Sequence, residues 1–527
     1  MQRGQTRAAP AWTWREAALV FALALIPRLA HWFFVRGTPL AGEYVPDLSA
    51  YLFAAQRLMA SAYFFVEPMV MSPGYALVLA PQYILFGPDV PLFVLVNAVL
   101  DAGSAALCGG LAAGIAAPDL TRRAGLIAGG LYALCGPLLF YALLPLGEGP
   151  AIFCLLLGLT LLFRARHGAG GTLAAWLSGA LLALAALIRP NLAPAALLAL
   201  AVWTGFSWRK AGRQFGQQAI VPAAARCLLG FMLVLAPFMA HNAAVAGKAS
   251  PFGFQGGFTL YSGNHPGASG VGDALPGFEN TPYMVLVHAW QRAEAESGRE
   301  LSLAEADAWW YGKALRFFVD NPAEAAGLLG RKALLLLNNA GVDATANIGF
   351  SARFSPVPGL LALPAGLVFA LGLAGLARLW RDSPEAAALA ALLAGQAALV
   401  LLFQVTPRYR VVLLPLALCF AGALCAQLTG LLRQAPAESR GILAAPAVVF
   451  ALALGLSFIP LKALVDKPGL EAQEHARLAH YYLLCGPQAK AAEEFRAALA
   501  LGAPEPERLK AGLAASLLLR GQDASRP

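Results

Sequence analysis

Six ionisable side chains, Arg28, Asp101, Glu148, Arg189, Arg408 and Arg410, sit inside or at the edges of long apolar runs, and Asp47 lies in the segment after the first run. Charge at such positions is costly and marks function more often than charge elsewhere. Guanidiniums suit phosphate, because the planar fork makes bidentate, charge-assisted bonds and stays protonated when desolvated. Asp47 would stand beside such an anion as a general base. The ligand this set fits is a phosphate attached to something that partitions into lipid. Singly, each residue also fits a structural role. Arg28 can snorkel or pair with an acidic neighbour, Arg189 precedes Pro190 at a helix hairpin, and Arg408 and Arg410 can anchor an interface. Asp101, near the middle of the second run, reads as a buried hydrogen-bonded partner outside the candidate site.

Composition sets the elements that must carry these groups. The chain has 527 residues, of which 59% are apolar and 13% charged, against roughly 25% charged in soluble proteins. A mean hydropathy of +0.63 exceeds what one core can bury, since single cores stop growing at about 250 to 300 residues. A plain soluble enzyme is excluded, and the chain reads as an all-α polytopic membrane protein. Runs long enough for a bilayer lie near 17–35, 91–116, 124–143, 148–163, 173–188, 191–206, 223–242, 357–377, 385–405, 411–432 and 441–461, which predicts about 11 transmembrane helices. The first run follows Arg3, Arg7 and Arg15 and reads as an uncleaved anchor with a cytoplasmic amino end.

That choice makes every inside connection basic: Arg122 and Arg123; Arg164 and Arg166; Arg209, Lys210 and Arg213; Arg378 and Arg381; Arg433 and Arg440. Two long loops, about 37–90 and 243–356, then fall outside together with the tail. Arg28, Asp47, Glu148, Arg189, Arg408 and Arg410 converge on that outer side, where topology supplies no reason for arginine. Ala304 to Val319 and Ala323 to Asn338 look helical and interfacial. The net charge of +9 is spread over topology signals with no basic run longer than two residues, so no nucleic-acid partner is expected. The seven cysteines lack CxxC spacing, and those in apolar runs read as inert buried thiols.

The chain divides into a membrane domain, 1–461, and a soluble tail, 462–527, where about a quarter of positions are charged. In the tail, Leu478, Ala479, Tyr482, Gly486, Ala492, Phe495, Ala498 and Pro504 fall close to the positions of a tetratricopeptide unit. A two- or three-helix appendage packed against the outer loops accounts for the tail equally well. A protein partner for this tail is one expectation.

Several motifs occur in order along most of the first 430 residues: Pro27 and Arg28; Pro46, Asp47, Leu48, Ser49, Ala50, Tyr51 with Ala55 and Leu58; Ser72, Pro73, Gly74, Tyr75 leading to Leu85, Phe86, Gly87. Then come Glu148; Ile188, Arg189, Pro190; the loop from Ser262 through Asn264 and His265 to Gly270; Asn321 and Pro322; Arg331 and Lys332; and Arg408, Tyr409, Arg410 with Pro415. The set resembles the membrane glycosyltransferases of the GT-C superfamily, particularly bacterial relatives of dolichyl-phosphate-mannose:protein mannosyltransferases and aminoarabinose transferases. The resemblance implies a GT-C fold in a bacterial inner membrane and an enzyme that takes a sugar from a polyprenyl phosphate on the outer face, with inversion. It implies Asp47 as the base for an acceptor hydroxyl on a glycan, lipid or protein. Arg189, with Arg408, Arg410 or Lys332, would hold the donor phosphate. Arg28, Tyr51, Glu148, Asn264 and His265 would bind substrate or support the site. No cofactor or metal is expected. The stretch Pro237, Phe238, Met239, Ala240, His241, Asn242 lacks an arginine frequent in the family, and Asp47 is followed by Leu48 where many members have Glu.

A second class of function, a transporter or flippase of a lipid-linked anion, would use the same arginines without chemistry. Transporters commonly carry paired halves, and no second copy of the surroundings of Asp47 or Arg189 occurs in the sequence.

Overall fold

The computed structural model describes residues 12–41, 47–60, 67–165, 171–210, 217–272, 275, 282–339, 348–361, 363–431, 436–460, 470–503 and 505–523. Arg3, Arg7, Pro46, Arg166, Arg213, Arg433 and Pro504 lie outside them. Apart from turns and one short 3₁₀ segment, the regular structure among these residues is α-helical. The first half comprises α1 (Trp14–Val35), α2 (Asp47–Met59), α3 (Gly74–Phe86), α4 (Val90–Ile115), α5 (Thr121–Ala133), α6 (Gly136–Ala142), α7 (Glu148–Ala165), α8 (Gly171–Ile188), α9 (Leu192–Lys210) and α10 (Gln217–Ala246). A polar stretch follows with α11 (Gly256–Ser262), α12 (Pro282–Ser297), α13 (Leu303–Asp320), α14 (Pro322–Leu337), α15 (Ile348–Ser351) and α16 (Val357–Leu360). The chain then resumes apolar helices in α17 (Ala365–Leu379), α18 (Pro384–Leu402), the single turn α19 (Pro407–Arg410), α20 (Leu413–Leu431) and α21 (Pro436–Ser457). The tail holds α22 (Leu470–Cys485), α23 (Gln488–Ala500) and α24 (Pro506–Asp523).

Among the described residues six helices are long and apolar enough to cross a bilayer: Trp14–Val35, Val90–Ile115, Glu148–Ala165, Gly171–Ile188, Ile220–Ala246 and Pro384–Leu402. Gly74–Phe86, Ala365–Leu379, Leu413–Thr429 and Leu443–Ser457 are apolar but shorter. The protein is therefore an integral membrane protein. Two of the runs predicted as single spans are not single helices. The stretch 124–143 breaks at Leu134 and Cys135, where Pro137 opens α6 without an amide to continue the ladder. The stretch 357–377 is not continuous: α16 ends at Leu360 and α17 starts at Ala365, after its N-cap Pro364. The first predicted outer loop contains an apolar helix, α3, about 20 Å long.

Local chemistry fixes the helix starts. Thr13 and Glu16 form a capping box at α1, as Ser302 and Glu305 do at α13, and Ser383 accepts the amide of Ala386 at α18. Small residues then let helices approach, as expected where apolar surface alone gives no preference between lipid and protein. A Cβ on Gly179 of α8 would lie 1.8 Å from the Cys227 carbonyl of α10, and one on Gly375 of α17 would lie 2.3 Å from the Phe420 carbonyl of α20. Large apolar side chains such as Ile26 and Leu233 remain exposed on the outside of the bundle, where lipid would cover them.

One charged group is buried inside the bundle and paired within it. Arg28 Nε donates to Asp101 at 2.7 Å, and Nη1 donates to the carbonyls of Ala133 at 3.0 Å and Ala24 at 3.1 Å. Tyr132 adds a hydroxyl bond to Asp101 at 2.6 Å. The group ties α1, α4 and α5 together. Removing one charge leaves the other buried and unpaired, which typically costs 3–5 kcal/mol, whereas replacing both with apolar groups is near neutral. We expect Asp101→Leu to destabilise the detergent-purified protein by about that amount, and Arg28→Met/Asp101→Leu to recover most of the loss. Denaturant melts of the two variants against the parent read the difference.

Candidate active site

Four helix ends meet at one place. Asp47 opens α2 and Glu148 opens α7, both in first turns where the helix dipole favours an anion. Arg189 follows the end of α8, its amide still bonded to the Ala185 carbonyl at 2.8 Å. Arg408 sits in α19, which starts at an N-cap, Thr406, followed by Pro407. Arg408 donates Nε to Glu148 and Nη1 to Asp47, and Arg189 pairs with the same Glu148 oxygen that Arg408 uses. The Tyr409 ring lies 5.2 Å from the Arg189 guanidinium, and Tyr51, one turn after Asp47, stands edge-on to Tyr75 at 5.0 Å. The two guanidiniums and two carboxylates balance in charge. Glu148 is the most enclosed, with 1% of its side chain exposed, and Asp47 the most open, at 18%. The second Glu148 oxygen is buried with no hydrogen-bond partner among the described residues.

The surrounding packing dictates where Glu148 stands. Asn97 on α4 donates to the carbonyls of Leu144 and Leu146 at 3.2 and 3.3 Å, fixing the turn before α7. A Cβ on Gly147 would press to 2.6 Å from the Ile188 side chain, and one on Gly74 would collide with the Leu187–Ile188 backbone at 2.2 Å. Both glycines therefore allow α3 and this turn to close on the end of α8, next to Arg189. Asn97, Tyr75 and Tyr409 were absent from the predicted site. The signal for Asn97 is an amide within an otherwise apolar run; for Tyr409 it is an aromatic ring between two arginines.

The remaining predicted residues lie elsewhere. Arg410 points to the end of α14, donating Nη1 to the carbonyls of Leu335 at 2.6 Å, Asn338 at 2.8 Å and Leu336 at 3.4 Å. This is a guanidinium satisfying the orphan carbonyls of a helix terminus. Lys332, fully buried, donates to Asn264 at 2.7 Å and to the Phe403 carbonyl at 2.8 Å, while the Asn264 amide donates to the carbonyls of Leu260 and Leu402 at 2.7 and 2.8 Å. These two residues stitch the glycine-rich loop and α14 to the end of α18, just before the Arg408 turn. His265 packs near Tyr261, with Nδ1 2.9 Å from the Pro266 carbonyl. Arg28 belongs to the Asp101 group inside the bundle. The structure thus brings together Asp47, Tyr51, Glu148, Arg189 and Arg408, and places Arg28, Asn264, His265, Lys332 and Arg410 outside that cluster.

A separate cavity of about 110 Å³ lies among α11, α12 and α13, walled by Phe254, Phe258, Trp290 and Trp310. Asp307 lines it; burial pushes its carboxyl above the ordinary value, against the bond it accepts from the Gly257 amide at 2.7 Å. Among the described residues no group of three or more His, Cys, Asp or Glu side chains is arranged to hold a metal ion.

The fold and this cluster define a polytopic helical membrane protein with a polar site built from helix ends. No protein-family profile matches the sequence, and no curated protein matches it significantly. Solved structures do. The oligosaccharyltransferase of Archaeoglobus fulgidus, in its apo form, is similar over 92% of this chain at 14% identity and a TM-score of 0.47. The same archaeal enzyme, AglB, with an inhibitory peptide and a dolichol-phosphate, matches over 92% at 12% identity and 0.44. ArnT from Cupriavidus metallidurans bound to undecaprenyl phosphate matches over 95% of this chain and 76% of its own, at 17% identity and 0.38. This chain spans about three fifths of the archaeal enzyme, 59% and 60% in the two structures.

The division between Arg408 and Arg410 can be measured. Arg410→Ala removes the bonds to the last carbonyls of α14 and is expected to lower stability by about 1–3 kcal/mol. Thermal melts of that single variant against the parent check it.

Proposed function

We propose that this chain is an inverting glycosyltransferase that moves a sugar from a polyprenyl-phosphate donor to an acceptor hydroxyl at the outer face of a bacterial inner membrane. The amino end would be cytoplasmic and the tail periplasmic. The observation that carries the proposal is the pair Arg189 and Arg408 held side by side on Glu148, with Asp47 at the open edge of the same cluster.

In this reading Arg408 and Arg189 take the donor phosphate, the two forks meeting its oxygens as charge-assisted donors. Asp47 accepts the proton of the acceptor hydroxyl as that oxygen forms its bond to the anomeric carbon. The carbon–oxygen bond to the phosphate breaks on the opposite face, and the electron pair leaves with the phosphate monoester. Inversion follows from that in-line displacement. The extra charge that develops on the leaving phosphate falls on preorganised cations, where it stabilises the transition state more than the ground state. Glu148 touches neither reacting atom; it keeps two like charges adjacent that would otherwise repel. Arg410 and Lys332 act at one remove, by fixing the segment that carries Arg408.

The test uses radiolabelled polyprenyl-phosphate sugars with purified protein and membrane extract as acceptor source. Asp47→Asn is expected to lower label transfer by about 100-fold or more. Transfer equal to that of the parent would remove Asp47 as the base. Failure of the parent with every donor tried would favour transport of a lipid-linked anion without chemistry.

A further inference from the structure

The two tasks assigned to Arg408 and Asp47 draw on the groups that the contact between them occupies. Arg408 Nη1 is bonded to Asp47 Oδ2. While that bond holds, the N–H it uses is closed to a phosphate oxygen and the Oδ2 lone pair it uses is closed to an acceptor hydroxyl. Resting on the reading above, we infer that donor phosphate and Asp47 compete for the Nη1 edge of Arg408. Donor binding is then the event that releases the base, and it precedes acceptor binding.

The choice of Asp47 as the group that yields follows from its surroundings. Glu148 is sealed in the protein, with 1% of its side chain exposed, and holds both arginines. Displacing it would strand a buried carboxylate with one oxygen already unsatisfied. Asp47 is the most open of the four, is paired with Arg408, and stands in the first turn of α2, whose dipole continues to favour its charge after release. The exchange replaces one monoanion by another, since a phosphodiester carries one negative charge, so Arg408 is never left without a counter-anion. Transfer then moves the acceptor proton to Asp47 and leaves the phosphate as a monoester. When Asp47 gives that proton to water, its carboxylate again competes for Arg408 and helps expel the lipid phosphate.

A carboxylate that competes with the ligand makes an unusual forecast: removing the proposed catalytic base should improve donor-side binding. With full-length protein in detergent and undecaprenyl phosphate as probe, Asp47→Asn is expected to bind about tenfold more tightly than the parent, and Arg408→Ala about tenfold less tightly. Undecaprenol, which lacks the phosphate, serves as the control. Selective binding of the phosphate by the parent with equal or weaker binding by Asp47→Asn overturns the exchange while leaving the donor class standing. Equal binding of phosphate and alcohol by the parent overturns the functional reading, and the exchange with it. Isotope trapping on the parent needs no variant to fold. Labelled donor pre-bound to the enzyme and chased with excess unlabelled donor plus acceptor extract should carry its label into product, and turnover without trapped label overturns the order.

Discussion

A carboxylate buried beside apolar helices has to be paired, and the pairing of Glu148 is the constraint on which the site depends. Its side chain is sealed, and one oxygen receives both Arg189 and Arg408. An unpaired charge there would cost several kcal/mol, so the start of α7, the end of α8 and the turn α19 must meet. The rest of the local architecture serves that meeting. Asn97 pins the turn before Glu148, and Gly74 and Gly147 remove the bulk that would hold α3 and that turn away from Arg189. Lys332 and Asn264 clamp the chain at Leu402 and Phe403, so that α19 arrives from a fixed point.

The buried arginines differ in the kind of partner they have. Arg28 has a carboxylate of its own, backed by Tyr132, and carbonyls from α1 and the end of α5. Arg410 has carbonyls from the end of α14. Both are held by fixed protein atoms. Arg189 and Arg408 instead share one carboxylate oxygen, and the second partner of Arg408 is the most accessible acid of the group. A side-chain carboxylate at an open edge can be exchanged for another anion, whereas backbone carbonyls fixed at a helix end cannot.

Much of this was legible in the sequence. Apolar runs gave the helices, since a bilayer sets a minimum length, and charges within those runs gave Glu148, Arg189 and Arg408. Helical stretches near 304–319 and 323–338 emerge as α13 and α14. Long-range partnership was not legible. Arg28 and Asp101 are 73 positions apart, and no local period connects them. Arg410 was grouped with Arg408 by proximity in sequence, yet two positions along a helical turn point to nearly opposite sides. Thr406 followed by Pro407 is the N-cap and N1 signature that announces such a turn. Pro137 likewise marked the break within 124–143, where mean apolarity suggested continuity.

The tail joins this framework through the segment between α14 and α17. Glu494 on α23, almost wholly buried, accepts from Arg353 at 2.6 Å and lies 2.5 Å from His475 Nδ1, and Phe350 meets the His475 ring edge-on at 5.1 Å. Ser355, two residues beyond Arg353, bonds His31 of α1 at 2.6 Å. At the other side of the same connection, Asn338 bonds the Ile459 carbonyl at 2.7 Å, and Asn339 bonds Ser457 at 3.1 Å, after the Arg410 cap of α14. The connection is therefore fixed at three points: on α21, on α1 and on the tail. The tail helices carry their own core of alanines around Phe495, so they can dock as a unit. Because Arg410 and Arg408 share the single turn α19, whatever steadies the end of α14 also limits how far that turn can move, and this links the tail to the geometry of the cluster without a direct contact.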